Sequence, residues 1–501
     1  MKIKKFFISL SKNGIVCLLI LCLLSAVVFD YSADTITVPV LFFLFGSVIL
    51  TFSLAYFWST KGKLTPERIA LLITFLSFTV KLVYVICTGL TERQHDIGTF
   101  REGSASHSGY IYRLFTTGKL PDSTTGQYYH PPLHYIIEAL WLKLLTLFGV
   151  SFETAIHYVT VPTLFYSCAA SYIGYKIFRE LGFSPLVRNI CYAVTAFHPT
   201  FIILSASYNN DILSIFLMLV ALLYLIKWYK NPTFGSILMI AFGIGFGMMA
   251  KLSAVYVAPA AAMIFLVKLI EDKRKLYLIG QYASFGALCI PTGLWWSVYT
   301  MARFDLPFGY VMKLSETHDQ YVGFRSVAER LFAIPHSFSE GLYFARGEKF
   351  GNTFHEYNIP SAVLKNSVFG EWRPGEASSY ANLLSYVVFF LNVAIILFSL
   401  FCLVRMLTHK HKNADKGIKG ILLIFYATML VTFTKFCFDY QHDCTMDFRY
   451  IVPTVICGMA FIGMFLSEES ESRIKKYVTV AASVICVLFC AASGTLYIIS
   501  A

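Results

Sequence analysis

Residues 131–149 read PPLHYIIEALWLKLLTLFG, a run apolar enough to be taken for a bilayer crossing yet carrying Glu138 and Lys143. Where this run sits fixes the orientation of everything after it. Pro131-Pro132 can start a helix but not occupy its interior, so the run begins there. If it crossed the bilayer, Lys176/Arg179, Lys227/Lys230 and Lys273/Arg274/Lys275 would lie opposite Lys2/Lys4/Lys5 and Lys61/Lys63/Arg68. If it lies in the outer interface, all of these groups are cytoplasmic, together with Arg405/Lys410/Lys412/Lys416/Lys419 and Arg473/Lys475/Lys476. Short cytoplasmic loops collect basic residues, so 133–149 is expected to be a juxtamembrane helix on the outer surface.

The rest of the chain agrees with a membrane protein. Its 501 residues are 57% hydrophobic and 14% charged, too apolar for a water-soluble globule. Apolar runs long enough for a bilayer helix fall at 14–30, 37–59, 69–90, 155–177, 189–206, 211–229, 234–250, 252–270, 278–300, 380–404, 418–436, 450–467 and 476–498. The expected fold is an all-α polytopic bundle of about thirteen transmembrane helices with outer-face loops. The net charge of +12 is scattered in short clusters between these runs. It reads as a set of topology determinants, and no nucleic-acid surface is expected. Lys2, Lys4 and Lys5 before the first run, with no small-x-small site ahead of Asp30, indicate an uncleaved anchor with a cytoplasmic N-terminus.

Most of the twelve cysteines, such as Cys17, Cys22, Cys168, Cys289 and Cys486, fall inside apolar runs as small hydrophobes. Cys437 and Cys444 share a loop and are the one pair close enough in sequence to raise the question of a disulfide. The organisation read from this is two N-terminal spans at 1–68, a core at 69–300, a large outer loop at 301–379 and C-terminal spans at 380–501. The core carries the first outer loop, 91–132, and the juxtamembrane helix. The cytoplasmic connections are short, so a built pocket is expected on the outer face.

The first outer loop reads ERQHDIGTFREGSASHSGYIYRLFTTGKLPDSTTGQYYHPPLHY. Asp96 lies just beyond an apolar span, where a rigid helix holds a carboxylate near headgroup level. Such a group suits a general base, and equally the cap of a short loop helix. Lys251 and Arg449 fall at outer ends of spans, where a cation either meets a phosphate or snorkels to the interface. Lys81, within the third span, is a functional candidate or half of a buried ion pair. Asp211, after Asn209-Asn210, reads as an outer-face helix N-cap.

Four histidines, His95, His107, His130 and His134, share the first loop and helix with Asp96, and Cys437, Asp439, His442, Asp443, Cys444 and Asp447 form a second metal-like composition. Neither has the spacing of a tight ligand set, so no cofactor is expected, although their chemistry suits a divalent metal. Aromatic residues of 301–379 fit either a sugar-binding lid or simple interfacial anchoring. No Gly-rich phosphate loop follows a strand pattern, which argues against a nucleotide-sugar donor.

Asp96, Gly109-Tyr110, Gly118-Lys119-Leu120-Pro121 and Tyr128-Tyr129-His130-Pro131-Pro132-Leu133 together resemble the first outer loop of C-type (GT-C) glycosyltransferases, in the protein O-mannosyltransferase and aminoarabinose-transferase branch. His198-Pro199, Asn209-Asn210-Asp211, Lys251-Leu252-Ser253 and Arg449-Tyr450-Ile451-x-Pro453 extend the resemblance over roughly 69–460. Two features depart from that branch. Its members commonly carry Asp-Glu or Asp-Asp where this chain has His95-Asp96-Ile97, and two extra spans come first.

The resemblance implies transfer of a sugar from a polyprenyl-phosphate carrier to an unknown acceptor outside the plasma membrane, with inversion. It implies Asp96 as base, Lys251 and Arg449 on the leaving phosphate, and His95, His107, Tyr110, Tyr129, His130, His134, Asp211 and Tyr450 about the substrates. Membrane lipids are the other expected partners. The rival readings are a flippase or polymerase of lipid-linked glycans and an ion-coupled transporter. The transporter is disfavoured because no Asp or Glu falls at membrane depth.

Overall fold

The computed structural model of the protein describes residues 13–33, 35–90, 92, 97–333, 346–349, 352–370, 372, 374–409, 415–468 and 473–501. They form a helical bundle with an outer layer of loops. The principal helices are α1 (Gly14–Val28), α2 (Val38–Thr60), α3 (Pro66–Cys87), α4 (His107–Thr117), α5 (Leu133–Leu147), α6 (Thr160–Glu180), α7 (Pro185–Phe197) and α8 (Asp211–Lys230). They continue with α9 (Phe234–Ala250), α10 (Ala258–Glu271), α11 (Lys275–Phe304), α12 (Ile359–Phe369), α13 (Ser379–Thr408), α14 (Lys416–Asp439), α15 (Thr454–Leu466) and α16 (Arg473–Ile499).

Helix α8 is the hub. It is apolar around its whole circumference, the mark of a helix enclosed by others, and 78% of its apolar window is buried. It packs between α6 and α9. Close approach to α9 depends on Gly243, where a Cβ would strike the Leu217 carbonyl oxygen and Ala221. At the periphery α2 is only 22% buried and turns Phe42, Phe45, Ile49 and Phe52 outward, as a lipid-facing helix does.

All thirteen expected spans fall on helix, but they are unequal. Seven helices of the described residues are long and apolar enough to cross a membrane, or eight if one bent pair is a single span. The bent pair is α7 with Pro199–Ala206, at 51°. The sequence reads 189–206 as one span; the break comes at His198-Pro199, where proline removes a backbone donor and the His198 ring accepts from the Thr200 N–H instead. Helices α1, α9 and α15 are shorter, at 15, 17 and 13 residues. Thirteen residues rise only about 20 Å. The 301–379 region adds a two-stranded antiparallel hairpin, Arg346–Lys349 with Asn352–His355.

The expected juxtamembrane helix is α5. Its buried face meets α4 in a small hydrophobic core of its own, made of Tyr110, Ile111, Leu114, Tyr128, Tyr135, Ala139 and Leu142 with Ala155, Val159 and Tyr208. Tyr110 and Tyr135 stack at 4.1 Å between centroids. Residues 97–132 are therefore a packed layer over the bundle. Lys81 in α3 is fully buried and bonds to Ser171 Oγ at 2.9 Å and the Ser167 carbonyl at 3.4 Å, beneath the Phe201 ring. Among the described residues no carboxylate is within ion-pair reach, so hydrogen bonds replace the ion pair read from the sequence.

Candidate functional site

Between that layer and the bundle lies a cavity of about 1480 Å³. Its walls come from the first outer loop, the turn before α8, the segment after α9, residues 309–320 and the stretch between α14 and α15. These are helix ends and the loops beside them.

At the centre of one wall is Asp211, the first residue of α8. Its carboxylate is in contact with the Lys251 ammonium, and Arg449 Nε stands 3.7 Å from Asp211 Oδ2. All three are largely buried, with 4% of the Asp211 side chain exposed, 15% of Lys251 and 9% of Arg449. Burial pulls Lys251 down from its ordinary pKa, and the Asp211 carboxylate opposes that pull. Tyr450 completes the group: Lys251 Nζ lies over its ring at 4.5 Å, and Arg449 Nη2 donates to its hydroxyl at 3.2 Å. Asp447 fixes the Arg449 backbone, its Oδ1 accepting from Arg449 N at 2.9 Å, and its Oδ2 lies 3.6 Å from Nε.

This geometry corrects two readings. Asp211 is not the N-cap of α8, a place taken by Asn210 without any side-chain cap bond; Asp211 is spent on the cations. Lys251 is not a snorkelling lysine, because its ammonium is turned into the protein and paired. A third question is also answered. Cys437 is a buried free thiol whose Sγ lies 3.5 Å from the Thr445 carbonyl oxygen, so it forms no disulfide with Cys444.

His130 and Tyr129 line the same cavity, and His107 stacks on His130 with ring centroids 5.7 Å apart. His107 Nδ1 shares a 2.8 Å hydrogen bond with the Tyr135 hydroxyl. Burial first, then the charge of neighbours including Lys251 and Arg449, holds His107 and His130 well below the usual imidazole pKa. Both are neutral rings at pH 7. Tyr110 and His134 are buried behind the cavity wall and do not line it. His95 and Asp96 lie outside the described residues; Glu92 and Gly98 on either side of them line the cavity. Among the described residues no group of three or more His, Cys, Asp or Glu is placed to hold a metal.

Sequence reasoning missed Asn210, Asp447 and Trp296 as site supports. Asn210 Nδ2 donates to the Ala250 carbonyl at 2.6 Å, tying the Asp211 turn to the residue before Lys251. Trp296 Nε1 donates to the Tyr129 carbonyl at 2.9 Å and fixes the loop ahead of His130. The Asp-x-Arg spacing of 447 and 449 was the one available signal, that of a side chain accepting from a backbone N–H two residues on. The others bond across distant segments.

Residues 129–296 match the family described as dolichyl-phosphate-mannose-protein mannosyltransferase. The match covers about a third of the chain and bears out the resemblance to the C-type glycosyltransferases. It includes His130, Asp211 and Lys251 but neither Asp96 nor Arg449. No curated protein matches the chain. Similar solved structures include the oligosaccharyltransferase of Archaeoglobus fulgidus in its apo form, at 12% identity and TM-score 0.45, covering 85% of this chain and 56% of that one. The same enzyme tethered to an acceptor peptide containing the NVT sequon gives 14% identity, TM-score 0.45 and coverages of 85% and 55%. Its complex with an inhibitory peptide and a dolichol-phosphate gives 13%, 0.44, 85% and 56%. The chain thus spans little more than half the length of these proteins.

Proposed function

We propose that the protein is an inverting membrane glycosyltransferase that moves a sugar from a polyprenyl-phosphate donor to an acceptor on the extracytoplasmic face of the plasma membrane. The observation that carries this is the convergence of Lys251 and Arg449, from the ends of different helices, on one wall of a large cavity. Two largely buried cations there suit a phosphodiester whose leaving oxygen gains charge as the glycosidic bond breaks. The matched family, whose description names a dolichyl-phosphate sugar, supports the same donor class.

In this reading the acceptor hydroxyl attacks the anomeric carbon from the face opposite the phosphate. Asp96 takes the hydroxyl proton, and the carbon–oxygen bond to phosphate breaks with its electron pair leaving on polyprenyl phosphate. One carboxylate suffices for direct inversion, and no bound cofactor is called for. The cavity lining on both sides of Asp96, at Glu92 and Gly98, supports its placement beside the donor. His107, Tyr129 and His130 then offer neutral polar and aromatic surface to the sugar or the acceptor.

The test is release of polyprenyl phosphate from a polyprenyl-phosphate sugar by the purified protein, with Asp96→Asn beside the wild type. Release lost in Asp96→Asn is expected, by about 10²-fold or more. A protein that carries the lipid-linked sugar across vesicles without releasing the carrier is a mover, and the transferase reading is then wrong.

A further inference from the structure

Two buried side chains of α5 have no part in the chemistry above. His134 and Glu138 are wholly buried one helical turn apart, with His134 Nδ1 3.7 Å from Glu138 Oε1. Among the described residues neither Glu138 oxygen nor His134 Nδ1 has a hydrogen-bond partner. Such a pair is costly in a core that Leu and Phe would otherwise fill. Burial pushes the Glu138 carboxyl well up and takes His134 down to about 4, leaving a neutral acid beside a neutral ring.

The other ring nitrogen is engaged. His134 Nε2 lies 3.0 Å from the Tyr208 carbonyl oxygen. A carbonyl only accepts, so Nε2 carries the proton and the ring's lone pair is on Nδ1, facing Glu138. Tyr208 opens the turn that delivers Asp211. Within it Asn209 N donates to Ser207 Oγ at 3.3 Å and Asp211 N donates to Asn209 Oδ1 at 3.1 Å, while Asn210 is tied to Ala250, next to Lys251.

We infer that Glu138, acting through His134, is a positioning residue for the cation wall: its carboxyl is the polar group facing Nδ1, 3.7 Å away, and Nε2–H clamps the Tyr208 carbonyl and the turn that sets Asp211 against Lys251 and Arg449. Removing the polar group that faces Nδ1 leaves the ring free to turn, and the carbonyl then loses its donor. The effect on donor binding rests on the transferase reading; the clamp itself rests on geometry alone.

The experiment uses the full chain in detergent. With a polyprenyl-phosphate sugar as donor, Glu138→Leu raises the donor KM about tenfold and changes kcat by less than about twofold. Glu138→Gln, whose amide N–H can donate to Nδ1, restores the wild-type KM. An unchanged KM in Glu138→Leu, or equal loss in both variants, overturns the inference. Backbone hydrogen exchange keeps the test readable without substrate and if Glu138→Leu does not fold: in His134→Phe the amides of residues 207–211 exchange about tenfold faster than in the wild type. Unchanged exchange there also overturns it. If exchange rises while the wild type releases no polyprenyl phosphate, the clamp stands and the transferase reading fails; release with unchanged exchange gives the converse.

Discussion

Lys251 and Arg449 reach Asp211 from the ends of different helices, and Asp211 keeps two buried cations from facing each other uncompensated. A charge-assisted contact of this type is worth about 1.5–3 kcal/mol, so Lys251→Met or Arg449→Met is expected to weaken donor binding about 10- to 100-fold. Titration of donor binding by fluorescence quenching reads this directly, and an unchanged affinity in both variants removes them from the phosphate site. The histidines give a separate prediction. His107, His130 and His134 all have pKa values held below 6.5 in the fold, so the unfolded chain binds protons that the folded one refuses. Their stabilising effect is complete above pH 6.5 and is lost as pH falls below it. Glu138, raised by burial, works in the opposite sense with one proton, against three from the histidines. The unfolding midpoint in detergent should therefore fall between pH 6.5 and 5.5, each uncompensated proton counting about 1.4 kcal/mol per pH unit. A midpoint that rises over that interval contradicts the burial of these rings.

Helix α4 shows what a glycine in the Gly109-Tyr110 motif is for. Ser106 caps the helix by accepting from Gly109 N at 3.2 Å, and this folds the chain so tightly that a Cβ on Gly109 would overlap the Ser104 carbonyl oxygen. Gly126 makes a similar approach to the Ala105 carbonyl at φ +54°. Gly109→Ala should therefore push Ser104 and the loop before it off the cavity, costing about 1–3 kcal/mol of stability. Thermal unfolding of the purified variant checks this; a midpoint matching the wild type shows that the loop gives way without cost. At this scale much was readable from sequence. The run after Pro131-Pro132 and the apolar spans fall on helix, because proline and apolar length act within a few residues of themselves. The break at His198-Pro199 was not read, since an apolar run conceals a change of direction that only its packing neighbours set.

Over the whole molecule, the distribution of Lys and Arg predicts a first loop that faces away from the cytoplasm. Lys119, exposed at the end of α4, is a clean reporter. Lys119→Cys is expected to react with a membrane-impermeant maleimide added to intact cells, above the background of the native cysteines. Reaction only after permeabilisation places the first loop in the cytoplasm and leaves the proposed reaction without a site.

Composition and the order of apolar runs determined by themselves that this is a helical membrane protein, because burying a helix in lipid requires a length and an apolarity that are written locally. The meeting of Asp211, Lys251, Arg449 and Tyr450, and the clasp of His134 on the Tyr208 carbonyl, were decided only by the tertiary structure. Charges at separate helix ends carry no record of their partners; the packing of α8 against its neighbours brings them within reach, and the exclusion of water there makes their pairing count.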